Sequence, residues 1–144
     1  ERLRRELSDG LPTVVFSHQS LVESRTGIKN APDLRRMFDE CGAEEIILKG
    51  LQTNNVSNMY EMFKGCGALE IDMRGLDTHN VVNMGNMFLD CVAKTIDISG
   101  MDANRVVNLY DMFYRCKAQI RLTDSINSRI IKEATRNGCT VIRA

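Results

Sequence analysis

Apolar residues in this chain fall into a fixed spacing that repeats along most of its length. The triplet Met-Phe-x-x-Cys occurs as Met37-Phe38-Cys41, Met62-Phe63-Cys66, Met87-Phe88-Cys91 and Met112-Phe113-Cys116, each 25 residues after the one before. Ala43, Ala68, Ala93 and Ala118 keep the same phase, as do Ile46, Ile71 and Ile96, then Leu48, Met73 and Ile98, and Val56, Val81 and Val106. A period of 20–50 residues marks a solenoid or array, because one unit cannot bury its own apolar face and must stack on its neighbours.

Within a unit, two patterns alternate. Asn58 precedes apolar Met59, Met62, Phe63 and Cys66, the i, i+3, i+4, i+7 stripe of a short helix. Asp33, Asn58, Asn83 and Asn108 stand where an N-cap belongs, and Glu61 completes a capping box. Residues 68–75 then alternate apolar and polar as a half-buried strand does, and Thr95-Ile96-Asp97-Ile98-Ser99-Gly100 repeats this. Each unit therefore reads as strand, loop, short helix. The predicted fold is α/β: a right-handed, leucine-rich-repeat-like solenoid with a short parallel sheet on one face and short helices on the other.

The ends leave the pattern. Leu3 and Leu7 predict a short helix and Thr13-Val14-Val15-Phe16 a strand; Ile126, Ile130, Ile131 and Ala134 predict an amphipathic helix that stops near Asn137-Gly138, followed by a strand from Cys139 to Ile142. One domain over residues 1–144 is expected, with an N-terminal cap at 1–32, four repeats at 33–123 and a helix-strand cap at 124–144. Departure from the repeat at both ends predicts a complete domain.

Composition adds exclusions. The chain is 43% hydrophobic and 26% charged, a globular mix, and its 19 basic residues balance 19 acidic ones. Without a basic excess the chain is a poor match for nucleic acid. No apolar run approaches the ~18 residues of a membrane span, so no membrane insertion is expected. No targeting segment is visible, which leaves cytoplasm and bacterial cell surface both open.

The five cysteines form neither close pairs nor CxxC ligand sets. Cys41, Cys66, Cys91 and Cys116, on an apolar stripe beside Met and Phe, read as small buried hydrophobes rather than as a metal or redox ladder. His18 and His79 are the only histidines, and no Ser/His/Asp, Cys/His or phosphate-cradling glycine pattern accompanies them. No catalytic, cofactor or metal residues are assigned, and the chain is not expected to be an enzyme.

The phrase Gly75-Leu76-Asp77-Thr78-His79-Asn80-Val81-Val82-Asn83-Met84, followed by Met87-Phe88 and Cys91, resembles the BspA-like leucine-rich-repeat surface proteins of bacteria. Asp77-Thr78, Asn55 and Asn80, Val56 and Val81, and Ile96-Asp97-Ile98-Ser99 match that family's pattern over about residues 33–123. The resemblance implies a leucine-rich-repeat-like solenoid used for adhesion or protein binding in bacteria, and also in phage and protist genomes, without catalytic residues.

Recognition would then fall to positions that differ between units. On the sheet these include Asp72, Arg74, Asp97 and Arg121, a mixed-charge panel; an Asp72–Asp97 calcium site is the weaker reading, because a hard cation wants six or more oxygens. On the helical side Tyr60, Leu89, Tyr110 and Tyr114 are expected to face outward, with Tyr110 and Tyr114 touching as an i, i+4 pair. The expected function is a non-catalytic module that binds a protein partner, effector- or inhibitor-like, of bacterial or phage origin. The alternative is a structural or adhesive segment of a larger surface protein, and homo-association through a sheet edge near Val141-Ile142 is a third possibility.

Overall fold

The computed structural model describes residues 13–15, 34–48 and 53–143. The expected helix around Leu3 and Leu7 lies outside these residues. Six short strands form one sheet in sequence order: β1 (Thr13–Val15), β2 (Glu45–Ile47), β3 (Glu70–Asp72), β4 (Thr95–Asp97), β5 (Gln119–Leu122) and β6 (Thr140–Arg143). All neighbours pair in parallel, and Val14, Ile46, Ile71, Ile96, Ile120 and Val141 share one register position. Each repeat is thus one coil of a leucine-rich-repeat-like solenoid. Ile46, Ile71, Ile96 and Ile120 face the interior, and their sequence neighbours face out.

The side opposite the sheet differs from expectation. The stretches that carry Met-Phe-x-x-Cys are chains of turns and not short helices. In residues 58–66 the amides of Met59, Glu61, Phe63 and Gly65 donate to the carbonyls of Asn83, Gly85, Met87 and Leu89 in the next coil. The intervening amides of Met62, Lys64 and Cys66 close turns onto Met59, Glu61 and Phe63. Every second peptide therefore serves the neighbouring coil, an arrangement an α-helix forbids because its amides bond within the segment. Positive φ recurs at Arg36, Glu61, Asn86 and Asp111, and again at Glu40, Gly65, Asp90 and Arg115. Left-handed backbone at a non-glycine residue costs about 1–2 kcal/mol, a cost offset by the hydrogen bonds between coils. Glu61 accordingly makes no capping box, whereas Asn58, Asn83 and Asn108 do act locally, each accepting from the amide two residues on.

The core is a set of columns. Phe38, Phe63, Phe88 and Phe113 stack with ring centroids 5.2, 5.3 and 5.4 Å apart and planes within 5–7° of parallel. The spacing follows the coil rise of about 4.8 Å. The Met, Cys and Ala columns are buried beside them. One helix is present among the described residues, α1 (Ser128–Arg136), with Ile130 and Ala134 buried against the last coil. Asn127 caps it by accepting from the Arg129 amide at 2.8 Å, and Gly138 leaves it at φ 80°. The Arg129 guanidinium donates to the carbonyl of Val106 at 2.8 Å, fixing α1 across the end of the solenoid.

Candidate functional site

Two surfaces remain once the columns are assigned to the core. On the sheet, Asp72 and Asp97 are register partners on β3 and β4, with their side chains facing outward. Arg74 lies between them: its guanidinium donates to both Asp72 carboxylate oxygens at 2.7 and 3.0 Å, and its Nε stands 3.6 Å from Asp97 Oδ2. Hydrogen bonding to Asp72, added to the charge of both aspartates, pushes the Arg74 pKa further up. The two carboxylates are thus neutralised by an arginine. Arg121 on β5 is the register partner of Asp97 and is exposed. The panel Asp72, Arg74, Asp97 and Arg121 is therefore assembled as a continuous charged strip. No group of three or more His, Cys, Asp or Glu among the described residues is arranged to hold a metal ion.

On the turn side, Tyr110 is 71% exposed and Tyr114 46% exposed. Tyr60 and Leu89 are half-buried, and the Tyr60 hydroxyl accepts from Asn86 Nδ2 at 3.0 Å, which holds that ring against the next coil. The helix expected to bring Tyr110 and Tyr114 together is not formed. The i, i+4 argument required a helix, and the segment is a run of turns.

Sequence reasoning missed Val107, which is 73% exposed three residues before Tyr110. It follows the core residue Val106 and shares a column with Val82 and with Ser57. That one member of the column is a serine was the available sign that it does not face the core.

A polar ladder runs along the loops. Asn80 donates to the Asn54 carbonyl at 2.8 Å and accepts from Arg105 at 2.8 Å. Asp77 accepts from the His79 ring and, at 3.1 Å, from the His79 backbone amide, which holds the Asp77 carboxyl below its usual range.

Five free cysteines are buried, and Cys139 of the C-terminal cap extends the row formed by Cys41, Cys66, Cys91 and Cys116. Hydrogen bonding to Cys116 and Cys66, together with burial, pushes the Cys91 thiol up and keeps it protonated. The row is packing.

The fold and its surfaces define a class: a repeat protein of the parallel β-solenoid type with leucine-rich-repeat-like coils. The chain belongs to the family described as "Mycoplasma protein of unknown function, DUF285", whose model matches residues 29–136. No curated protein and no solved structure matches it. No helix among the described residues is long and apolar enough to cross a membrane.

Proposed function

We propose that this chain is a non-catalytic protein-binding module, recognising a partner through positions that the stacked columns leave free. One observation carries the reading: Val107 and Tyr110 in the last coil are 73% and 71% exposed while the Met, Phe and Cys columns beneath them are buried. Exposed aromatic and aliphatic side chains grouped on a rigid support are the usual anchors of interfaces, and a solenoid supplies that rigidity without spending its core. Tyr114, Leu89 and Tyr60 extend the surface, and the Asp72, Arg74, Asp97 and Arg121 strip is a second panel. The family match favours a bacterial setting; the BspA-like repeat phrase favours protein binding, and an effector- or inhibitor-like role is part of the proposal.

The adhesive alternative, a segment of a larger bacterial surface protein, rests on that same BspA-like resemblance. A photo-crosslinking residue placed at Tyr110, compared with one at Asn54, exposed in a loop two coils earlier, tests the first reading in lysate and on intact host cells. A partner captured only from position 110, and lost when Val107→Ala/Tyr114→Ala is added with thermal unfolding unchanged, supports it. Equal capture from both positions removes it.

A further inference from the structure

Val107 is not exposed alone. Its amide donates to the Val82 carbonyl at 2.9 Å, so the two valines sit one above the other on successive coils, and Val82 is also exposed. Tyr110 follows three residues on, with its amide held by Asn108 Oδ1 at 2.9 Å. Val82, Val107 and Tyr110 thus form a short apolar strip on a backbone that the buried columns keep in place.

Two arginines border this strip. Arg105, two residues before Val107, is exposed and donates to Asn80 Oδ1 at 2.8 Å. Arg129, exposed on α1, donates to the Val106 carbonyl at 2.8 Å and to the Val107 carbonyl at 3.4 Å. Both guanidinium groups are therefore held by neutral acceptors, and neither has a carboxylate partner among the described residues. Elsewhere on the solenoid Arg36, Arg74, Arg115 and Arg136 pair with Asp39, Asp72, Asp90 and Glu133. A guanidinium carries more donors than these bonds use, so Arg105 and Arg129 keep both charge and donors to offer beside exposed apolar surface.

We propose that this strip docks a short acidic segment of a partner polypeptide, with an aliphatic or aromatic side chain over Val82, Val107 and Tyr110 and carboxylates on Arg105 and Arg129. The inference rests on the binding-module reading and names the chemistry of what is bound. Carboxylate and guanidinium meet as matched forks, and the apolar contact beside them excludes water from the pair. Two arginines suit one short segment. A nucleic acid needs a longer basic track, and the 19 basic residues of this chain are matched by 19 acidic ones.

The test uses the whole chain and three probes: the blocked peptides Glu-Glu-Leu-Phe-Glu-Glu and Lys-Lys-Leu-Phe-Lys-Lys, and a short oligothymidine. Amide NMR spectra of the labelled chain read site and affinity together. The acidic peptide is expected to shift the Val107 and Tyr110 amides, with affinity falling as salt is added, and the basic peptide to bind about tenfold more weakly or not at all. Arg105→Gln should weaken the acidic peptide about tenfold with melting unchanged. Val107→Ser installs the residue that Ser57 already supplies in the same column and should weaken it as well; if one variant loses stability, the other decides. No shift at Val107 and Tyr110, equal binding of the two peptides, tighter binding of the oligothymidine, or unchanged affinity in either folded variant overturns the proposal. Any of these results, with a partner still captured from position 110, leaves the binding module standing, whereas no capture from position 110 removes both.

Discussion

Thr78 and Asp102 are joined by two hydrogen bonds across adjacent coils: the threonine hydroxyl donates to the Asp102 carbonyl at 2.9 Å and accepts from the Asp102 amide at 2.8 Å. Thr53 makes the same pair with Asp77, both bonds at 2.9 Å. The next member of the column is Ala103, and the position 25 residues further on is Ser128, where α1 begins. Thr53 and Thr78 each have a loop of the next coil to bond, whereas the segment that follows Ala103 by one repeat is the terminal helix, and Ala103 carries no hydroxyl.

Thr78→Val keeps the shape but leaves the Asp102 amide and carbonyl without the hydroxyl. Stability is expected to fall by about 1–3 kcal/mol. Urea unfolding should show a lower midpoint with an unchanged slope. A loss within error would mean that water replaces the hydroxyl at no cost.

Phe88 is stacked on both sides, against Phe63 at 5.3 Å and Phe113 at 5.4 Å. Phe88→Ala is expected to cost about 3–5 kcal/mol through lost burial and a residual cavity. Equilibrium denaturation measures this directly, and a surface-like loss would contradict the stacked core.

Gly65 has φ 61°, and a Cβ built on it meets Glu40 Cγ at 3.4 Å, an ordinary contact. Strain and not collision then sets the effect of Gly65→Ala, expected to be destabilising by about 1–2 kcal/mol. Thermal unfolding checks it. A stabilised alanine variant would show that this turn does not need a left-handed residue.

The Asp77 carboxyl is held below its usual range by hydrogen bonds from the His79 ring and amide. A carboxyl whose folded pKa is depressed contributes stability above its unfolded pKa, about 3.9, and loses that contribution as pH falls through the folded value. Asp77→Asn should therefore differ in stability from the parent at pH 5 and converge with it in stronger acid. A constant difference across that range would show that the effect is not protonic.

Much of this architecture could be read before any coordinates. The columns, strands, parallel stacking and α1 were legible because burial at a fixed spacing permits few other solutions. The short helices were not. Met59, Met62, Phe63 and Cys66 point inward both in a helix and in a run of turns, so their spacing could not separate the two. What separates them is where alternate amides bond, and no side chain reports that. The cap breaks the 25-residue count at Cys139, yet that residue continues the row begun at Cys41. Among the surface positions, Tyr110 and Tyr114 were placed outside correctly, but their mutual contact depended on the absent helix.

The near-constant rise between the four phenylalanine rings makes the molecule a ruler. Excising residues 76–100 would set Gly75 before Met101, seat Phe113 on Phe63, and return Thr53 to an aspartate partner at Asp102. Length in such a protein can change by whole coils, while a deletion inside a strand or a run of turns takes one coil out of step with its two neighbours.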